Sequence, residues 1–331
     1  MSFSFAPKEA GFEIAQIETS KDQIEQPAPA KDARMLIPPL GSSIVISGKS
    51  GSGKSTLLAN LIKDARFYGK SPERPDGWFD KIFLFSPTAN GDDVQKSLDI
   101  PSNHVFTDLE DAPSLLEVIL DTQQDKLDKA GGAHEVQQYC IIFDDVIGDV
   151  KFMNSKEFTR CFYQVRHVNC TTFICTQHFK RVPRICRLQA NFIFFFQGSA
   201  SEVETISEDF APPMYTKNEF RSLVNEATRQ KYTFLTINMK IGWDFRFRKN
   251  LDEFIVLDRI GTENQSDQDK DSSDDSDDSD EKKKENYAGY SKTDEDIETS
   301  CRHFTQHAAD EQSLEDEHEH EPRRVRKRAH S

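Results

Sequence analysis

The sequence predicts an α/β fold in which helices flank a mainly parallel central sheet. Between residues 36 and 261, short apolar runs of strand length recur, and stretches long enough for helices separate the first five of them. The runs are almost continuously apolar, which is typical of parallel strands that are buried on both faces. The predicted strands are Ser43–Ser47, Lys81–Ser86, Tyr139–Phe143, Thr171–Thr176, Asn191–Phe196, Tyr232–Ile237 and Glu253–Leu257.

The segments between these runs predict the helices and one edge of the sheet. Helices are expected at Lys54–Arg66, Ala112–Lys129 and Ser155–Val168. Only IGWDFRFRKN, residues 241–250, separates the last two predicted strands, so we expect these strands to form an antiparallel addition at one edge. Residues 36–261 are therefore predicted to form a single domain.

The two ends of the chain differ from this domain in composition. Residues 1–35 are polar and contain Pro27 and Pro29, which predicts a flexible arm. Residues 262–331 hold 22 acidic and 11 basic residues, and they account for −11 of the net charge of −15. Their tract SDQDKDSSDDSDDSDEKKKE has almost nothing to bury, so we expect a disordered acidic tail.

Composition also disfavours several classes of protein. The N-terminus lacks the basic and apolar regions of a secretion signal, and no apolar run approaches the length of a transmembrane helix. The six cysteines form no C-x-x-C pair, which disfavours a zinc site and predicts a reduced, intracellular setting. These cysteines are Cys140, Cys161, Cys170, Cys175, Cys186 and Cys301.

The segment Gly48–Thr56 reads GKSGSGKST and fits the pattern G-x-x-x-x-G-K-[ST]. A predicted strand precedes it and a predicted helix follows it, which is the setting that a P-loop requires. There the glycines let backbone N–H groups point inward at the start of the helix, where they form a nest for phosphate oxygens. The alternative is a Gly/Ser-rich turn that merely connects the two elements.

This loop predicts binding of ATP together with Mg²⁺. Lys54 is placed to reach the β- and γ-phosphates, Ser55 to ligate Mg²⁺ and Thr56 to contact the α-phosphate. The residues predicted to bind the nucleotide are Gly48, Lys49, Ser50, Gly51, Ser52, Gly53, Lys54, Ser55 and Thr56.

Two carboxylates follow the predicted strand Tyr139–Phe143. Asp144 is predicted to hold Mg²⁺, and Asp145 to polarise the attacking water as a general base. Ligand sites in α/β proteins lie at the carboxyl ends of strands. We therefore expect the strand Tyr139–Phe143 to lie directly beside the P-loop strand, between it and the next strand of the sheet. Such a sheet is expected for a P-loop NTPase of the additional-strand class, which the sequence favours. Alternatively, Asp145 only caps the following turn.

Gln177 ends the predicted strand TTFICTQ, and its amide could sense the γ-phosphate or orient water. Alternatively, Gln177 is a loop residue whose amide makes only structural hydrogen bonds. The guanine-binding motif N-K-x-D and the transporter motif L-S-G-G-Q are both absent. A nucleoside or polynucleotide kinase stays open, because Arg181, Arg184 and Arg187 could supply the lid that such an enzyme requires.

Together, GKSGSGKST, IIFDDV and RHVNCTTFICTQHF with the following VPRICRLQANFIFFF resemble the poxvirus-type genome-packaging ATPases of the FtsK/HerA superfamily. These occur in large DNA viruses, virophages and Polinton-like elements. The resemblance covers Pro38–Gln197 and extends more loosely to Asp258. Its most specific part is Arg166-His167-x-Asn169, just before the strand that ends in Gln177.

The resemblance implies an ATP-driven motor that moves double-stranded DNA into a capsid, working as a ring with shared sites and with a capsid or portal partner. Lys54, Ser55, Asp144, Asp145 and Gln177 match the nucleotide residues of the family. The candidates for an arginine that acts on the neighbouring subunit's nucleotide are Arg166, Arg184 and Arg187. Contacts with DNA phosphates or surface salt bridges are the alternatives for each.

Three further segments bear on partners and localisation. KNEFRSLVNEATRQKY and KIGWDFRFRKN are basic and aromatic, so they suit contact with the DNA backbone, or else form a solvated helix and an edge hairpin. The cluster Arg323–Arg328 is similar to a nuclear-import signal, or it balances the acidic tail. We expect an intracellular protein, in the host nucleus and on the virion. A non-motor nucleotide switch in capsid assembly is a second alternative function.

Overall fold

The computed structural model describes residues 24–89, 97–255 and 298–299. Within these ranges nine strands form one sheet, in the order β3-β2-β4-β5-β1-β6-β7-β8-β9. The strands are β1 (Ser43–Ser47), β2 (Lys81–Phe85), β3 (Val105–Phe106), β4 (Tyr139–Asp144), β5 (Cys170–Thr176), β6 (Phe192–Phe196), β7 (Phe234–Asn238), β8 (Phe247–Lys249) and β9 (Glu253–Phe254). The helices are α1 (Ala28–Lys31), α2 (Lys54–Lys63), α3 (Ala112–Lys129), α4 (Val150–Met153), α5 (Lys156–Tyr163), α6 (Arg184–Gln189), α7 (Ala200–Phe210), α8 (Lys217–Ala227) and α9 (Trp243–Arg246).

Strand pairing confirms the predicted mainly parallel sheet with an antiparallel edge. From β3 to β6 all neighbouring strands run parallel. The pairs β6–β7, β7–β8 and β8–β9 are antiparallel. Strands β1, β4 and β5 therefore end at the same edge, which we call the carboxyl edge, and the opposite side is the amino edge.

The predicted position of the acid-bearing strand is wrong. Strand β1 pairs with β5 and β6, whereas β4 pairs with β2 and β5. Strand β5 thus separates the P-loop strand from the acid strand, and it is long enough to pair with both: Ser47 lies opposite Thr176, and Asp144 opposite Cys175. This order places Gln177, the residue after β5, between the phosphate loop and the carboxylates.

Alternate residues of the strands face two separate cores. In β1, Val45 belongs to a core that helices α3 to α8 cover, while Ile44 and Ile46 belong to a core that α2 and the segment before β1 cover. All five residues of β1 and all six of β4 are buried. Each fully buried aliphatic or aromatic side chain contributes roughly 1.5–3 kcal/mol. The near-continuous apolar runs follow from this burial on both faces.

Local signals fix the starts of several helices. The side chains of Ser155 and Ser199 accept hydrogen bonds from Phe158 N and Glu202 N, at the first turns of α5 and α7. Thr216 and Glu219 form a reciprocal capping box at the start of α8. Such caps are each worth about 1 kcal/mol. No described helix is both long and apolar enough to cross a membrane.

Parts of both predicted terminal segments lie against the domain. Ala30 of α1 is buried, whereas residues 1–23 of the predicted arm lie outside the described residues. In the predicted tail, the Glu298 carboxylate accepts hydrogen bonds from Lys81 Nζ and Asn103 Nδ2, both at 3.0 Å, and lies 3.3 Å from His104 Nε2. Glu298 is therefore bound to the domain. Disorder of the remaining tail, which is not described apart from Thr299, stays a prediction.

Candidate active site

The P-loop connects β1 to α2 at the carboxyl edge. Gly48 N donates to the Thr176 carbonyl at 3.1 Å, which ties the loop to β5. A Cβ atom at Gly48 would lie 2.5 Å from Cβ of Phe196, a distance at which only glycine fits. Gly53 precedes α2 with φ of 105°, a left-handed conformation that favours glycine. The loop's course thus depends on glycine at both of its ends.

Polar groups of the loop are arranged around its centre. Lys54 is only 8% exposed, and its ammonium donates to the Lys49 carbonyl at 3.1 Å across the loop. The Ser52 hydroxyl is buried, and no described residue forms a hydrogen bond with it. A buried cation, an orphaned donor and the N-terminus of a ten-residue helix fit the phosphates of a nucleotide.

The residues predicted to hold Mg²⁺ come from two elements that meet at this edge. Ser55 lies in the first turn of α2, and Asp144 is the last residue of β4 and only 8% exposed. A hydroxyl and one carboxylate suit Mg²⁺, which keeps several waters and binds substrate phosphates rather than an all-protein cage.

The structure brings the two predicted hydrolytic side chains into direct contact. Gln177 Nε2 donates to Asp145 Oδ2 at 2.9 Å. Asp145 itself adopts φ of 52°, and its N–H donates to the Cys175 carbonyl of β5 at 3.2 Å. Non-glycine residues in the left-handed region of backbone conformation are strained by about 1–3 kcal/mol, and such residues concentrate at functional sites.

The Asp145 side chain does not cap the turn that follows it. Asp145 precedes the short 3-10 helix Val146–Gly148, but its carboxylate makes no capping hydrogen bond there. Four residues later, Asp149 does cap a helix, since it accepts from Phe152 N at 2.8 Å. The two nearby aspartates therefore have different structural roles.

The three predicted trans-acting arginines lie in different environments. The Arg187 guanidinium is buried and donates to Asp209 at 2.8 Å and to the carbonyls of Lys180 and Val182. Arg187 is thus engaged within its own chain and is not available to a neighbour. Arg184 bonds to the same Asp209 at 3.3 Å, but 70% of its side chain is exposed.

Arg166 is exposed and lies beside His167, with Arg166 Nε 3.1 Å from His167 Nε2. It precedes β5 and so lies at the amino edge, whereas Arg184 begins α6, in the connection from the carboxyl end of β5 to the start of β6. Asn169, also part of the distinctive motif, is buried and donates to the carbonyls of Ala133 and Val136. Asn169 therefore stabilises the loop that leads into β4.

The basic segments proposed for DNA contact are partly used within the fold. Arg248 is fully buried, and burial lowers its pKa to about 10. Arg246 stacks on Trp243 at 3.7 Å, and burial also lowers its pKa. On α8, Arg221 forms an ion pair with Glu204. The edge hairpin thus matches the alternative of a structural element better than that of a DNA-binding one.

Sequence reasoning missed two residues that shape the site. Phe196 of β6 packs against both Gly48 and Gly53, and Asp209 of α7 holds two of the candidate arginines. Both residues are distant in sequence from their partners. Phe196 was predicted only as part of a strand, and Asp209 belongs to none of the quoted motifs. Only the pairing of β6 with β1 and the packing of α7 beside α6 reveal them.

The fold and the site together define a P-loop NTPase in which an additional strand, β5, lies between the phosphate loop and the acid pair. The model of the Poxvirus A32 protein family matches residues 41–238. The chain therefore belongs to this family, and the predicted kinship with the poxvirus-type genome-packaging ATPases is confirmed. It is an ATPase of the DNA-packaging class.

More distant similarities accompany the family match. Uncharacterized protein 088R of Invertebrate iridescent virus 3 is 26% identical over 212 residues, which cover 62% of this chain and 73% of that protein. The DNA-packaging ATPase B204 of Sulfolobus turreted icosahedral virus is 16% identical, with a TM-score of 0.43 and coverage of 64% of this chain and 97% of B204. ATPases 2 and 3 of Thermomonospora curvata EccC are 12% identical, with a TM-score of 0.39 and coverage of 65% and 37%. The assignment rests on the family match and not on these structural similarities.

Proposed function

We propose that the chain is a motor that couples Mg²⁺-dependent ATP hydrolysis to movement of double-stranded DNA into a viral capsid. The contact between Gln177 and Asp145 supports this proposal most strongly, because it joins a γ-phosphate sensor to the hydrolytic base within a packaging-ATPase family member. In this proposal the contact lets the state of the nucleotide change the position of β5.

In this proposal the P-loop binds and orients the triphosphate. The N–H groups at the start of α2 and the Lys54 ammonium balance the charge of the phosphates. Mg²⁺, held by Ser55 and Asp144 together with the nucleotide, supplies electrostatic stabilisation of the charge on the transferring phosphoryl group.

Asp145 accepts the proton of the attacking water. The Gln177 amide holds Asp145 Oδ2, which orients the carboxylate and directs its other oxygen toward water. The shorter aspartate takes the place of the glutamate used in many ATPases. Its left-handed backbone conformation and its bond to Cys175 set where the carboxylate lies.

We further propose that the motor is a homo-oligomeric ring in which an exposed arginine reaches the neighbour's nucleotide. Arg184 is the favoured candidate because it is 70% exposed and lies in the connection that leaves the carboxyl end of β5. Arg166 is exposed at the amino edge and is the second candidate. Arg187 is buried and bonded to Asp209, so only Arg181 and Arg184 remain for the arginine-rich lid that the kinase alternative requires.

The partners in this proposal are double-stranded DNA of any sequence and a capsid or portal protein. Lys217, Arg229 and Lys231, on or just after α8, remain candidates for contact with the DNA backbone. The cluster Arg323–Arg328 lies outside the described residues, so nuclear import stays a prediction. Removal of this cluster alone should lower the nuclear fraction of the protein, and an unchanged distribution would contradict import by this segment.

Stimulation of ATP hydrolysis by DNA tests the proposed function. The rate should rise when duplex DNA is added at low salt, for any base sequence, because backbone contacts carry little sequence information. Raising the salt should remove the stimulation steeply, since each phosphate contact releases counterions. Lys54→Ala should abolish hydrolysis under all conditions. A rate that is indifferent to DNA at low salt would instead favour the nucleotide switch.

A further inference from the structure

A tight turn beside the P-loop presents two side chains to the carboxyl edge. The Gln230 carbonyl accepts hydrogen bonds from Thr233 N at 3.2 Å and from Thr233 Oγ1 at 2.8 Å, which closes a turn around Lys231 and Tyr232. Strand β7 starts directly after it and runs antiparallel to β6, with Phe234 opposite Phe196. The turn therefore lies where β6 ends, next to the P-loop.

Tyr232 lies within reach of the loop itself. A Cβ atom at Gly53 would lie 3.4 Å from Tyr232 Cδ1 and 3.5 Å from Phe196 Cε1. The two rings thus border the glycine at the start of α2 from one side. Phe196 is buried and packs against Phe234 with ring centroids 5.0 Å apart. Tyr232, in contrast, is 58% exposed.

The backbone of Tyr232 is unusual for an aromatic residue. Its φ of 68° belongs to the left-handed region, which glycine and asparagine normally fill at this place in a turn. The ring gains little from burial, so core packing does not account for this strain. Strained positions of this kind concentrate where a ligand is held.

We propose that Tyr232 binds the nucleoside part of the nucleotide, by stacking its ring on the base. The triphosphate in the loop places the ribose and base outside the first turn of α2, and Tyr232 is an exposed aromatic ring beside that turn. Lys231 Nζ lies 4.6 Å from the ring centroid on one face, so this proposal places the base on the other face of the exposed ring.

Stacking on Tyr232 should raise the affinity for nucleotides with little discrimination between bases. Every base presents a π face to an aromatic ring, so purine nucleotides should gain similarly from Tyr232. Loss of a stacked aromatic side chain typically weakens binding by roughly tenfold or more. The effect should appear in nucleotides and be absent from phosphate compounds that carry no base.

The inference rests on the proposed function, and a pair of ligands separates the two. Binding of ADP and of inorganic pyrophosphate, each with Mg²⁺, is measured by calorimetry on the full chain. Tyr232→Ala should weaken the binding of ADP about tenfold and leave the binding of pyrophosphate unchanged. Tyr232→Phe should restore ADP affinity, because the ring and not the hydroxyl makes the contact.

Phe245→Ala is the matched control, because Phe245 is also an exposed aromatic residue (47%) but lies on α9, after the amino-edge end of β7. It should bind both ligands as the unaltered chain does. Equal ADP affinity in Tyr232→Ala and the unaltered chain would overturn the inference. So would a parallel loss of ADP and pyrophosphate, which would place Tyr232 in support of the loop alone. An unaltered chain that binds neither ligand would refute the proposed function, and the inference with it.

Discussion

At the scale of residues, the proposed hydrolytic chemistry depends on one hydrogen bond just beyond the ends of two neighbouring strands. Gln177 at the end of β5 and Asp145 after β4 meet at 2.9 Å. Motifs in the sequence identified both residues and their proximity to the P-loop. The direct contact could not be predicted from them, because local patterns do not encode which strands pair, and β4 was expected beside β1.

Binding and hydrolysis should separate at these two residues. Asp145→Asn and Gln177→Ala should retain ATP, since neither residue cradles the phosphates, but turnover should fall by about 10²–10⁴-fold for loss of the base. Nucleotide affinity and single-turnover hydrolysis are the measurements. Asp149→Asn is the control, because this nearby aspartate caps α4 and should leave turnover close to normal. Normal hydrolysis in Asp145→Asn would assign the base to another group.

At the scale of elements, α6 and α7 are joined by Asp209, which holds one buried and one exposed arginine. The side chains of Asp209 and Arg187 are only 4% and 8% exposed, whereas that of Arg184 extends into solvent. Sequence spacing made the arginines equivalent candidates. Their burial differs although they lie three residues apart on one face of the helix. Arg184 is the first residue of this six-residue helix, whereas Arg187 also bonds to the carbonyls of Lys180 and Val182.

Substitution of the two arginines should therefore lower the stability by unequal amounts. Arg187→Ala leaves the Asp209 carboxylate buried without its main partner, and should lower the free energy of unfolding by about 3 kcal/mol. Arg184→Ala removes a largely exposed pair and should cost less than about 1 kcal/mol. Denaturant unfolding of both variants is the measurement. Equal losses of stability would contradict the distinction.

The variant Arg184→Ala also tests whether this arginine reaches the nucleotide of the neighbouring subunit. Arg184→Ala should fold normally yet lose turnover, and mixing it with Lys54→Ala should restore part of the activity. Some interfaces in the mixture then pair an intact P-loop with an intact arginine. The same mixture made with Arg166→Ala decides between the two candidates, and restoration in neither mixture would exclude both.

Sequence patterning predicted the elements with uneven success. The long apolar runs gave β1, β4 and β5 nearly to the residue, because strands buried on both faces must be apolar throughout. The short strands β3 and β8 were missed, since two or three residues carry no periodicity. Arg248, which lies in a segment predicted to contact the DNA backbone or to form an edge hairpin, is fully buried in β8.

At the scale of the whole molecule, one sheet holds the proposed nucleotide site at its carboxyl edge, and Glu298 contacts Lys81 at the opposite end of β2. Burial alone would raise the pKa of Glu298, but the bond from Lys81 and the nearby His104 lower it overall. The carboxylate thus stays ionised at neutral pH and remains paired with Lys81. This contact lies away from the P-loop, so it should affect stability more than catalysis.

Deletion of residues 262–331 should leave the domain folded and its basal ATPase rate unchanged. The expected loss of stability is about 1 kcal/mol or less, since the Glu298 contacts are partly exposed. Glu298→Gln in the full chain is the matched variant and should reproduce most of that loss. Thermal unfolding and ATPase rates are compared, and a truncated chain that fails to fold would contradict a dispensable tail.

Directional movement along DNA is the most direct test of a packaging motor. A duplex that carries a third strand bound in its major groove is incubated with the full chain, Mg²⁺ and ATP. We expect displacement of the third strand with ATP, none with a non-hydrolysable analogue, and none with Asp145→Asn. Rapid ATP hydrolysis on this DNA without displacement of the third strand would contradict the account, because turnover would then be uncoupled from translocation.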